Sequence, residues 1–169
     1  MRLIPALLAA LALSSKALAA PPLPAAVREV VKTMNAECRS AGGKPGASPG
    51  LVSTVDLNGD GRNDYVIHTA AFDCEGAASL SVGAGGDGSV EVFITTADGS
   101  AASAFEHGAQ GMRVEQGKLW LAVGGPLCGQ KVTEDTPRSA MQACWRPLQW
   151  DANRHKLDFA PLSSVRPYP

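Results

Sequence analysis

The 169-residue chain carries 15 Lys and Arg against 16 Asp and Glu, a formal net charge of −1 with neutral histidines. No basic run or patch interrupts that balance, which argues against a nucleic-acid partner and against an anionic membrane surface. No apolar stretch is long enough to cross a bilayer.

Residues 1–19 read as a secretory signal peptide. Arg2 gives a positive start, Leu3 to Leu13 is an apolar run broken only by Pro5, and Ala17-Leu18-Ala19 fits a small-x-small cleavage site. Cleavage after Ala19 leaves 150 residues with 13 basic and 16 acidic side chains, a net charge of about −3. No Cys stands in the processing region, so lipid attachment is not expected. Residues 20–169 have the length of one domain with a real core. The expectation is a small, soluble, monomeric protein of the periplasm or the extracellular space.

Pro21-Pro22-Leu23-Pro24 is a stiff extended lead-in to the one good helical pattern. Val27, Val30, Val31, Met34 and Cys38 recur at helical period, Pro24 suits the first turn and Gly42-Gly43 suits termination. Lys44 to Gly50 is a Pro/Gly/Ser loop. From Leu51 onward the chain reads as short strands between Gly and Asp turns. Leu51 to Val55 leads into an acidic loop and Tyr65 to Thr69 leaves it, and Val90 to Thr96 comes after a Gly-rich turn at Gly83 to Gly88. Met112 to Glu115 and Lys118 to Val123 flank Gln116-Gly117 as a hairpin. Cys144 to Trp150 and Lys156 to Phe159 flank a last turn at Asp151 to His155. The fold class is mainly β (α+β), an antiparallel β-rich domain with one N-terminal helix.

Four cysteines remain after cleavage, Cys38, Cys74, Cys128 and Cys144. In an oxidising compartment they imply two disulfides with three possible connectivities. The order with the shorter loops, Cys38–Cys74 and Cys128–Cys144, is favoured. No C-x-x-C spacing supports zinc or a thioredoxin-type role.

The stretch with a specific chemistry is Asp56-Leu57-Asn58-Gly59-Asp60-Gly61-Arg62-Asn63-Asp64. Oxygen side chains fall at positions 1, 3, 5 and 9 and Gly61 at position 6 permits a sharp turn, a pattern that suits a hard cation such as Ca²⁺. EF-hand and dockerin loops share the opening but need an acid at position 12, which here is Ile67 in a β-branched run. The loop instead resembles the FG-GAP and VCBS-type calcium loops of integrin-like propellers, where such a loop joins two strands. That resemblance implies Asp56, Asn58, Asp60 and Asp64 as side-chain ligands of a structural Ca²⁺, with Arg62 supplying its carbonyl. It covers about a dozen residues, and one motif cannot build a propeller, so the loop carries over and the fold does not. Without a terminal bidentate acid the affinity falls in the range of about 10⁻⁴–10⁻³ M. A metal-free turn would use the same letters, since Asn-Gly and Asp-Gly are strong turn formers. The wider layout, with Cys74-x-Gly76-Ala77-Ala78 and a terminal Cys144-Trp145 hairpin, is similar to small exported bacterial proteins, and that likeness implies no activity.

Catalytic signatures are sparse. His68, His107 and His155 each stand alone, the serines are scattered in loops, and the chain has no odd cysteine. Asp73, Glu75 and Glu106 form an acid–base pair only if the fold joins them. Gly83 to Gly88 lacks the Lys of a phosphate-binding loop. Trp120, Trp145 and Trp150 read as core residues, with Trp145 and Trp150 on one hairpin as a candidate aromatic face. The leading expectation is a non-enzymatic module that binds an envelope or extracellular ligand. The alternative is an envelope hydrolase built on carboxylates or His68.

Overall fold

The computed structural model describes residues 22–82 and 87–169. The signal-peptide reading and most of the Gly83 to Gly88 turn lie outside the described residues. Helix α1 spans Ala25–Ser40, with Pro24 at its N-cap. The strands are β1 (Lys44–Pro45), β2 (Val52–Val55), β3 (Asp64–His68), β4 (Cys74–Glu75), β5 (Gly88–Thr95), β6 (Ala101–Ala109), β7 (Gly111–Glu115), β8 (Lys118–Gly124), β9 (Ala143–Asp151), β10 (Lys156–Phe159) and β11 (Arg166–Pro167).

All strand pairings are antiparallel. One sheet runs β2-β3-β5-β6, a second runs β10-β9-β8-β7 with β11 on β9, and β1 pairs with β4 as a small ribbon. The chain passes from the first sheet to the second at Gln110, whose amide already donates to the Ala122 carbonyl at 2.9 Å. The two sheets face each other. Val66, Val90, Val92 and Ile94 from the first meet Leu119, Leu121, Val123, Leu148 and Leu157 from the second. Alternation along each strand fills this layer, because successive side chains leave opposite faces of a pleated strand.

Helix α1 covers the other face of the first sheet. Val27 and Cys38 are buried there with Leu51, Ile67, Phe72, Cys74 and Phe93. The helix stops as its glycines require. Gly42 has φ +80°, its amide donates to Arg39, and the Gly43 amide donates to Cys38 at 2.9 Å, which is the Schellman arrangement. Gly43 also has no room for a side chain, since a Cβ would lie 2.5 Å from Cys74 Sγ.

Both favoured disulfides form. Cys38–Cys74 ties α1 to β4, and Cys128–Cys144 ties the turn after β8 to the start of β9. The hairpin at Gln116-Gly117 also forms, with φ of 53° and 72°, as a two-residue type I′ turn demands. The structure adds four strands to those read from the sequence: the two-residue β1, which begins the expected Lys44 to Gly50 loop, the two-residue β4 and β11, and the nine-residue β6. β6 is Ala-Ala-Ser-Ala-Phe-Glu-His-Gly-Ala, with little β propensity, and its alternation breaks where Ala104 is an extra residue between the pairs Val92–Phe105 and Phe93–Ser103. A bulge puts two successive residues toward one side, and Ala104 and Phe105 both pack into the inter-sheet core.

Candidate metal centre

The acidic loop closes the hairpin between β2 and β3, since Val55 pairs with Asp64 across its base. Gly59 and Gly61 hold φ of +77° and +81°, backbone that side-chain-bearing residues rarely adopt. Around these turns each acid caps the loop's own amides. Asp56 accepts the Gly59 amide at 2.7 Å and the Gly61 amide at 2.9 Å. Asn58 Oδ1 accepts the Asp60 amide at 3.0 Å, and Asp60 Oδ1 accepts the Arg62 amide at 2.9 Å. These are successive Asx turns.

Asp60 Oδ2 also accepts the Asn58 side-chain amide at 2.7 Å and the Arg62 guanidinium at 2.6 Å. The Arg62 amide, the Asn58 amide and the Arg62 charge together hold the Asp60 carboxyl below the usual range. Asp64 behaves differently. It is fully buried, with Oδ2 accepting the Leu57 amide at 2.8 Å and Oδ1 the Thr95 amide at 2.9 Å. Burial raises its carboxyl, the two amides oppose that shift, and the charges of Asp60 and Asp56 add to it.

The structure therefore gathers Asp56, Asn58 and Asp60 on one exposed turn with Arg62 beside them, and draws Asp64 inward as the brace of the loop. Among the described residues, no three acidic, His or Cys side chains stand as a ready-made ion cage. The donor set is nonetheless of hard oxygens. Each carboxylate offers about four lone-pair positions, and the bonds to Asp56 use two of them. A cation held here would take Asp56, Asn58 and Asp60 as side-chain ligands, displacing the Arg62 guanidinium from Asp60.

The other candidates are scattered. His68 ends β3 opposite Val90, its Nε2 buried without a hydrogen-bond partner, and burial lowers its pKa. His107 Nδ1 lies 2.6 Å from the Gly108 carbonyl and its ring meets Phe159 edge-on. His155 packs against Trp150. Among the described residues no histidine bonds a carboxylate or hydroxyl. Asp73 and Glu75 stay at the β1–β4 ribbon, where Glu75 faces Lys44 at 3.8 Å. Glu106 instead pairs with Glu91 across β5 and β6. Burial, then the Glu106 charge, raises the Glu91 carboxyl. Glu91 was the residue overlooked in the sequence. Its signal was a lone acid in the Val90-Glu91-Val92 alternation, which sends it to the face opposite the valines.

Trp145 and Trp150 do not share a face. Trp150 packs on the inter-sheet core, whereas Trp145 belongs to a guanidinium–aromatic stack on the outside of the second sheet. There Arg113 sits 4.5 Å from the Trp145 ring, Arg166 sits 4.2 Å from the Trp120 ring, and Glu115 bridges the two arginines at 3.4 and 3.0 Å. No family model, no curated protein and no solved structure matches the chain.

Proposed function

We propose that the chain is an exported, non-enzymatic binding module whose Asp56–Asp64 loop holds a structural Ca²⁺. The observation that carries the calcium reading is the loop's self-capping. Its Asx turns fix Asp56, Asn58 and Asp60 on one turn with lone pairs left over, and among the described residues one guanidinium offsets their charge. The ion's role is to neutralise that turn and pin the β2–β3 hairpin. Two disulfides support an oxidising compartment, and with the leader sequence they support the periplasm or the extracellular space. All four cysteines are bonded, and the Nε2 of half-buried His68 is enclosed without a hydrogen-bond partner, which supports binding over nucleophilic catalysis. The protein works as a monomer against an envelope or extracellular ligand.

The test is the melting temperature of the oxidised mature protein in EDTA and across a Ca²⁺ series, with Mg²⁺ as control. A rise that saturates with Ca²⁺ alone is the signature of binding to the folded state, and Asp60→Ala should remove it. A flat response through millimolar Ca²⁺ ends the calcium reading. One observation favours the second reading, an envelope hydrolase: Glu91 and Glu106 are neighbours and the Glu91 carboxyl is raised. Turnover of a panel of chromogenic esters and glycosides, abolished in Glu91→Gln, would replace the binding module with that hydrolase.

A further inference from the structure

A cavity of about 780 Å³ opens between α1 and the first sheet, away from the acidic loop. Its size falls within that of small-molecule sites. Val30 and Met34 from one face of α1 form one wall, and Phe72 and Leu80 form the other. Leu80 is 51% exposed, so the slot opens to solvent along this wall.

The charged groups around this apolar slot are of one sign. Glu29, Glu37, Asp87 and Glu91 all border it, and among the described residues no Lys, Arg or His does. Lys32 offsets Glu29 at 3.0 Å. Among the described residues, Glu37, Asp87 and Glu91 have no cationic partner, and Asp87 Oδ1 is buried without a hydrogen bond. Glu91 has the further burden of Glu106 directly opposite it in the sheet, an arrangement that destabilises a strand pair. Apolar walls with uncompensated carboxylates make a site that is incomplete without a positive charge.

We infer that this cavity binds a small amphiphilic cation, its apolar body between α1 and Phe72 and its ammonium or guanidinium head beside Glu91 and Glu37. The inference rests on the binding-module reading and names the ligand class for it. Raising of the Glu91 carboxyl by burial agrees with a group that gains from a cation. Selectivity for positive charge should weaken with salt, because Glu37 lies at the solvent edge.

Calorimetry with decyltrimethylammonium, below its micelle concentration and on the oxidised mature protein, tests this. Decanesulfonate and decyl maltoside serve as anionic and neutral controls of equal chain length. The cation should bind at least about tenfold more tightly than either control, a difference one partly desolvated ion pair can supply. Glu91→Gln and the surface change Glu37→Gln should each weaken the cation several-fold while leaving the neutral control unchanged. Equal binding of all three compounds, or cation binding indifferent to both variants, overturns the inference. So does a Lys-rich amphipathic peptide that binds where the small cation does not. Failure here, with no turnover of the chromogenic panel, leaves the binding-module reading standing, whereas turnover lost in Glu91→Gln removes both.

Discussion

Asp64 Oδ1 accepts the Thr95 amide at 2.9 Å across 31 residues of chain, and Thr95 returns a bond from its hydroxyl to the Asn63 carbonyl at 2.5 Å. The end of the acidic loop is thereby fastened to the end of β5, and a fully buried carboxylate becomes the peg of the first sheet's edge. Asp64 Oδ2 holds Leu57 in the same way, so one side chain fixes both flanks of the loop.

Asp64→Asn should lower stability by about 1–3 kcal/mol, because the new amide turns N–H toward one of two buried N–H donors. For a domain of this size each kcal/mol moves the melting temperature by about 2–4 °C. Denaturant unfolding of the two proteins in EDTA, where any bound ion is removed, checks this. A variant as stable as the parent would mean that the two amides find other acceptors.

The disulfides should differ in worth. Replacing Cys38 and Cys74 by Ala opens a loop with a sequence separation of 36, and replacing Cys128 and Cys144 opens one of 16. In the chain-entropy account these losses are about 4 and about 3 kcal/mol. Gly43→Ala should also destabilise, by about 1–3 kcal/mol, since its Cβ would press on Cys74 Sγ and the Glu75 carbonyl. Urea midpoints of the three variants give the ranking.

Glu91 should make the fold less stable as pH rises. Burial and Glu106 raise its carboxyl above the unfolded value of 4.5, so between the two values the folded state holds a proton that the unfolded chain releases. Stability then falls with rising pH through that window. Glu91→Gln should be more stable than the parent at pH 7, by roughly 0.2–1 kcal/mol for relief of a like-charged cross-strand pair. The advantage should fade toward pH 4. Melting curves of both proteins across that range settle it.

His68 should act in the opposite direction. Burial lowers its pKa below the unfolded value of 6.5, so the unfolded chain takes up a proton first as pH falls. Stability is then full above about pH 6.5 and is lost progressively below it, down to the lowered folded pKa. His68→Phe removes the titration and the unpartnered Nε2, and should flatten the dependence of melting temperature on pH between about 7 and 5.

Much of this molecule was legible in one dimension. The period of Val27, Val30, Val31, Met34 and Cys38 places α1, and Gly42-Gly43 ends it, because both depend on residues within a turn or two of each other. The Gln116-Gly117 and Asp151–His155 hairpins were legible for the same reason. The shorter-loop disulfide order also matched, as neighbours in the chain usually meet first in the fold. β6 was not legible: its alanines carry little preference and its bulge breaks the alternation, so only pairing with β5 makes it a strand.

The acidic loop divides the same way. Spacing alone specified a turn of Asp56, Asn58 and Asp60 around Gly59 and Gly61, since Asx turns are made with amides two to five residues away. Only the tertiary structure decided that Asp64 turns inward, because its second partner, Thr95, comes from another strand. The fold likewise joined Glu91 to Glu106, parted Trp145 from Trp150, and opened an acid-rimmed cavity beside α1. Local sequence sets what each segment does with its own backbone, while charge, burial and cavities depend on which segments meet.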